Sequence, residues 1–315
     1  SVVAVENTGS AGKYAMAVWA CSAGCKVTIN GEINFSQNIT HTDDPQMDMI
    51  YASQGTIMIN DGRYESGTPA WTLNCKDAAY KNGTAKIIVN GGTFVGYDPR
   101  NNTAEGEGTS FVAAGVGVDN NTDGTFTAKP NMVAQIVDAD GSSVAAYATL
   151  KEAVDAAKNG ETVTLLADVD LDAQIATGKA ITINGQGKYT IKATKKLVGT
   201  SNKAGMFYRT TSAQGTLTFL NVTLDGNGVS KIFLNEGGAG ETVFDGVTSI
   251  NGGGISYGSG IHISGGGSHA TIKNSTLTGS KGTTELSEAN YFAANDLWVG
   301  GNVYVTVENS TIGYV

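Results

Sequence analysis

The sequence predicts an all-β chain whose strands stack as a parallel β-helical solenoid, and three observations carry that expectation. The segment Val27-Thr28-Ile29-Asn30-Gly31 recurs as Ile57-Met58-Ile59-Asn60-Asp61-Gly62 and as Ile87-Ile88-Val89-Asn90-Gly91-Gly92, with the Asn residues 30 positions apart. A second, less regular series joins Phe219-Leu220-Asn221-Val222-Thr223-Leu224, Phe244-Asp245-Gly246-Val247-Thr248, Ile272-Lys273-Asn274-Ser275-Thr276-Leu277 and Val307-Glu308-Asn309-Ser310-Thr311-Ile312. In both, the apolar runs are short, alternating and β-branched, which is the mark of strands.

A fixed period signals a repeat architecture. Each first-half unit reads as a strand, a tight turn and a second apolar beat, at Ile33, Tyr64 and Phe94. Asn and Gly tolerate the left-handed backbone such turns need. Stacked coils advance by one strand spacing, about 4.8 Å, so like residues meet like. Apolar side chains then fill a long core, and Asn30, Asn60 and Asn90 form a hydrogen-bonded ladder in it or at its edge. A β-sandwich gives no reason to place the same Asn at one fixed interval.

The boundaries follow from where the repeats stop. Residues 1–95 form a first β-helical module, 96–148 a hairpin-rich linker, and 149–315 a helix-capped second module. Within the linker, Val116-Gly117-Val118 and Thr125-Phe126-Thr127 flank the turn-rich run Asp119 to Gly124 and read as a hairpin. Asp138-Ala139-Asp140-Gly141 marks another turn. One convincing helix follows. Thr149 and Glu152 make a capping box, Leu150, Ala153, Val154 and Ala157 share a face, and Asn159-Gly160 ends it. An open solenoid end exposes unpaired backbone and bare core. This helix is expected to cover it, with Val163-Thr164-Leu165 as the first rung. The last motif runs from Tyr304 to Ile312, so the solenoid is expected to continue past it, and the Ser1 start reads as a mature or excised segment.

The chain holds 43 Gly, 4 Pro and 16% charged residues among 315, with a net charge of −9. Ordinary domains carry roughly 25% charged residues. Only Arg63, Arg100 and Arg209 are arginines. A nucleic-acid binder needs clustered cations, as does a protein held to an anionic membrane, so neither partner is expected. No apolar run has membrane-spanning length, so insertion is not expected either. Cys21, Cys25 and Cys75 allow at most one internal disulfide and leave the pairing open. They lack the paired spacing of a zinc site and suit small buried positions.

The run from Tyr147 to Asp168 resembles the entry segment of right-handed parallel β-helices of the pectin-lyase-like type. The runs Gly252 to Tyr257 and Ile272 to Gly279 resemble repeats of bacterial surface and autotransporter β-helix proteins. Trp71 to Asn74, Gly91 to Pro99 and Ala104 to Ala113 resemble modules of large gut-bacterial surface proteins and phage appendages. The resemblance implies an extracellular, cell-surface or virion-appendage location. It specifies fold better than function, because one scaffold carries lyases, hydrolases, adhesins and fibres.

The enzyme members of that type set concrete tests. Their lyases bind calcium with clustered acids and take a proton with Arg or Lys, yet none of the three arginines follows a carboxylate cluster. Their hydrolases carry Asn-Thr-Asp, Asp-Asp, Gly-His-Gly and Arg-x-Lys in order. Asn121-Thr122-Asp123 occurs, but in the linker hairpin, and the last two motifs are absent. The histidines are His41, His262 and His269. His262 alternates with Ile261 and Ile263, which places it on a solvated outer face, and His269 falls in a Gly-Ser turn.

Two candidate metal sites emerge. Asp119-x-Asn121-x-Asp123-Gly124 fits the first half of a calcium loop, but Pro130 occupies the position of its last ligand, so a plain hairpin turn is the preferred reading. Asp168, Asp170 and Asp172 share one strand face and are the residues that would hold Ca²⁺, the one cofactor the sequence suggests. Trp71 and Trp298 are candidates for stacking against sugars. The sequence thus leads to a non-enzymatic extracellular structural or adhesive segment with an extracellular glycan or surface protein as partner. The alternatives are a β-helical polysaccharide lyase or glycoside hydrolase, and a self-associating fibre whose neighbour is another copy.

Overall fold

The computed structural model describes residues 3–7, 16–31, 33–37, 48–197, 205–237, 239–253, 260–281 and 294–315. His41 and residues 254–257 of the Gly-rich run lie outside the described residues. The chain is all-β; among the described residues helix is confined to α1 (Asp77–Lys81), α2 (Leu150–Ala156) and single 3₁₀ turns. It divides into two compact units, Ser1–Met132 with Ser143–Ala146, and Val133–Ser142 with Tyr147–Val315.

In the first unit the strands up to Gly92–Val95 pair in parallel with their equivalents one repeat later. Lys26–Ile29, Gly55–Ile59 and Ala85–Val89 align Val27 with Ile57 and Ile87, and Ile29 with Ile59 and Val89. Alternate residues of Gly55–Ile59 are buried, as a strand with one face on a core requires. Burying side chains such as Ile57 and Ile59 completely contributes roughly 1.5–3 kcal/mol each. A second ladder aligns Ala20, Ala52 and Cys75.

A third ladder stacks the rings of Phe35, Tyr64 and Phe94, with centroids 5.2 and 4.9 Å apart. The sequence reading placed Ile33 in this row. The connection after Asn30 is longer than those after Asn60 and Asn90, so Phe35 takes the position. Along the outer edge, Asn60 Nδ2 donates to Asn30 Oδ1 at 2.7 Å, and Asn90 Nδ2 donates to Asn60 Oδ1 at 2.8 Å. Thr125–Lys129 then runs antiparallel to Gly92–Val95, and Gly117–Asn120 pairs with it as a hairpin. The helix α1 escaped the sequence reading because it is a single turn with only Ala79 buried, too short to show a period.

The second unit holds three longer ladders. One runs through Thr162–Leu165, Thr182–Asn184, Leu217–Leu220, Glu241–Asp245, His269–Lys273 and Tyr304–Glu308. Another joins Val169–Leu171, Thr190–Ala193, Thr223–Asp225, Thr248–Ile250, Thr276–Thr278 and Thr311–Ile312. The third joins Ile175–Thr177, Phe207–Arg209, Phe233–Glu236, Ile261–Ser264 and Leu297–Gly300. Ile183, Phe219, Phe244 and Ile272 align in the core, where the rings of Phe219 and Phe244 stack at 5.3 Å.

The repeated Asn series marks a turn. Asn221, Gly246, Asn274 and Asn309 have φ of 45, 65, 52 and 45°. Asn is among the few side-chain-bearing residues that adopt this backbone, and Gly246 substitutes for it at the same step. The backbone N–H of Asn221 donates to Asp245 O, that of Gly246 to Lys273 O and that of Asn274 to Glu308 O. Helix α2 begins with the Thr149–Glu152 capping box and buries Leu150, Ala153 and Val154. It packs on Ala134–Val137, Thr162–Leu165 and Ile175–Thr177. Ala134–Val137 runs antiparallel to Thr162–Leu165.

Candidate functional site

Strand alternation sends every second side chain of the third ladder of the second unit outward. One outward row aligns Tyr208, Leu234, His262 and Trp298 in consecutive register. A parallel row aligns Glu236, Ser264 and Gly300. Tyr208 and Trp298 are half-buried, whereas Leu234 and His262 are buried. His262 was expected on a solvated face. It does point away from the core, but it is only 4% exposed, because a cation and an indole pack against it.

Lys231 Nζ lies 3.2 Å from His262 Nδ1, and His262 Nε2 lies 2.9 Å from Ser264 Oγ. An ammonium has no lone pair, so Nδ1 must accept its proton, which leaves the imidazole proton on Nε2 to be donated to Ser264. Lys231 is 3% exposed, and burial pulls its pKa down to about 8 against a smaller upward pull from Glu236. The Trp298 ring sits 4.3 Å from the His262 ring, centroid to centroid. Its indole also lies over Gly300, where a Cβ would come within 2.2 Å of the ring. His262, held by Lys231, and the close backbone at Gly300 therefore set the position of a Trp that keeps one part open to solvent. Sequence reasoning missed Lys231 because it precedes a strand and matches no motif.

Below this surface, Arg209 is fully buried and structural. Its guanidinium donates to Lys179 O at 2.8 Å and to Gly215 O at 2.7 Å, tying two turns together. The other sequence candidates lie apart from this face. Trp71 closes the turn Pro69–Trp71 in the first unit and is half-buried. Trp19, 45% exposed, donates from Nε1 to Ser53 Oγ at 2.9 Å. His269 starts a strand rather than lying in a turn, and its ring stacks on Tyr304 at 5.2 Å.

Asp168, Asp170 and Asp172 share one outward face, with Val169 and Leu171 buried between them. Two of the carboxylates are engaged by the next strand. Asp168 Oδ1 accepts from the Thr190 N–H at 2.8 Å. Asp172 accepts from Thr194 Oγ1 at 2.6 Å and from Lys196 Nζ at 2.5 Å, and these bonds hold its pKa below the usual range. Among the described residues no group of three His, Cys, Asp or Glu side chains is arranged to hold a metal ion. The Asp119–Gly124 run is a hairpin turn in which Asp123 accepts from Thr125 and Asn121 donates to Thr125 and Thr127.

Cys21, Cys25 and Cys75 are free thiols, exposed, half-buried and buried in that order. Burial pushes the Cys75 thiol far above its ordinary pKa. No described helix is long and apolar enough to cross a membrane. No family model matches the chain, and no curated protein and no solved structure matches it.

Proposed function

We propose that the chain is a pair of right-handed parallel β-helix modules of the pectin-lyase-like kind, serving as a non-enzymatic extracellular or surface segment that presents a binding face. The solenoid reading rests on ladders in which each strand pairs in parallel with the strand one repeat later. The single observation that carries the functional reading is the half-open Trp298 packed on His262, on an outward sheet face that also carries Ser264 one strand away, Glu236 two strands away and Tyr208 three strands away. A flat aromatic with nearby hydroxyl and carboxylate groups suits a sugar ring, which offers an apolar face and a rim of hydroxyls. The partner is accordingly an extracellular glycan or a glycosylated surface protein. A glycan array run beside reducing-end and unsaturated-product assays on acidic polysaccharides tests this. Binding without turnover supports it, and turnover assigns the fold to the lyases and hydrolases instead.

A self-associating fibre is the second reading. Val299, Tyr304 and Val307 are 41, 69 and 46% exposed on the last strands of two ladders. Sedimentation that shows a concentration-dependent oligomer, abolished by Tyr304→Lys, would favour it.

A further inference from the structure

The ladder that begins at Val169–Leu171 has a free side. Val169–Leu171 pairs only with Thr190–Ala193 and is the end strand of its six-stranded sheet. The Thr194 N–H donates to Leu171 O at 3.1 Å, so Leu171 faces its partner strand. In a parallel ladder neighbouring residues alternate in direction, which turns the Asp170 N–H and C=O to the other side. Among the described residues nothing pairs with that side. The cap does not take it: α2 packs on Ala134–Val137, Thr162–Leu165 and Ile175–Thr177.

A groove of about 320 Å³ adjoins this edge. Its lining includes Val133, Ala148 and Leu150 across from Val169 and Leu171, with Asp168, Asp170 and Asp172 along one wall. An edge strand beside an apolar groove is a template for strand addition.

The sheet itself indicates what a neighbouring strand must carry. On the paired side, Asp170 is in register with Lys192, and Asp172 binds Lys196. We propose that the open edge of Val169–Leu171 accepts an extended segment of a partner protein as an added strand, with Lys or Arg at alternate positions against Asp168, Asp170 and Asp172. Main-chain bonds to Asp170 hold the segment, apolar side chains fill the groove, and the carboxylate row selects the charge. This site is separate from the Trp298 face, and its test does not depend on that reading.

The probe is a short fluorescent peptide alternating Lys with Val, titrated into the full chain at low salt. Two control peptides alternate Glu with Val, or carry N-methyl groups on the amides that would face the edge. Fluorescence anisotropy reads binding, and hydrogen exchange reads protection of residues 168–172. The expected result is saturable binding of the Lys peptide with exchange protection at Asp170. Affinity should fall at least about tenfold in Asp168→Asn/Asp170→Asn, whose exposed positions leave the fold intact, and with salt. Equal binding of the Glu or N-methylated peptide, binding without protection at Asp170, or no binding would overturn the proposal. Concentration-dependent dimerisation that protects Asp170 without any peptide would assign the edge to a second copy and overturn it too.

Discussion

Lys231 Nζ lies 3.2 Å from Nδ1 of His262, in a position where the Lys is only 3% exposed. A buried ammonium that donates to an imidazole has a neutral partner, and among the described residues no carboxylate forms an ion pair with it, so its charged form is disfavoured.

That arrangement makes stability depend on pH in a defined direction. Burial lowers the folded pKa of Lys231 to about 8, and the unfolded value is about 10.4. Below pH 8 both states carry the proton and the cost of burying the charge is fully present. Between these values the unfolded chain binds a proton that the folded chain has released, so stability rises with pH. At roughly 1.4 kcal/mol per unit, the whole change is on the order of 3 kcal/mol. Buried Tyr64 and Cys75 are raised in pKa and act oppositely at high pH. Urea unfolding of wild type and Lys231→Met at several pH values isolates the effect as a difference. Wild type should gain on the variant from pH 8 to 10.5, and a constant difference would exclude a buried titrating Lys231.

The Asn ladder was legible in the sequence because an edge hydrogen bond needs the same residue at the same place in every repeat. The second-half series was legible for a related reason: its Asn residues and Gly246 all supply left-handed backbone at one turn. The swap of Ile33 for Phe35 was not, since both are apolar positions of one alternating strand and only the pairing register separates them. The Trp298 environment was also beyond reach. Lys231, His262 and Trp298 come from successive repeats, and spacing alone does not reveal which outward side chains are covered.

Asn60 donates to Asn30 and accepts from Asn90, so Asn60→Ala removes both bonds. These bonds are solvent-exposed, and each is worth about 0.5–1 kcal/mol at most. Denaturant midpoints should show a loss of about 1–2 kcal/mol, against about half that for Asn90→Ala. Equal losses in the two variants would mean that the ladder does not act as a connected row.

Val154 is 1% exposed on the buried face of α2. Val154→Asp sets an unpaired charge against the rungs and should cost several kcal/mol. Leu150→Ala is the milder probe, with a cavity cost of about 2–5 kcal/mol. Thermal melts close to wild type for both would show that the helix covers nothing.

Calcium should have little effect at Asp168, Asp170 and Asp172, because Thr190, Thr194 and Lys196 already engage two of the three carboxylates. A cation that binds only the folded state raises its melting temperature. Differential scanning calorimetry with millimolar Ca²⁺ should therefore show a shift under about 2 °C. A larger, chelator-reversible shift lost in Asp170→Ala would establish a site.

The binding face is tested most directly at Trp298. In a Trp19→Phe/Trp71→Phe background, Trp298 is the sole indole, and its fluorescence can be titrated with an oligosaccharide that wild type binds. The account predicts a saturable change in Trp298 emission, and an affinity at least about tenfold weaker in Gly300→Ala, where the new Cβ displaces the ring. Saturable binding that leaves Trp298 emission and the Gly300→Ala affinity unchanged would contradict it.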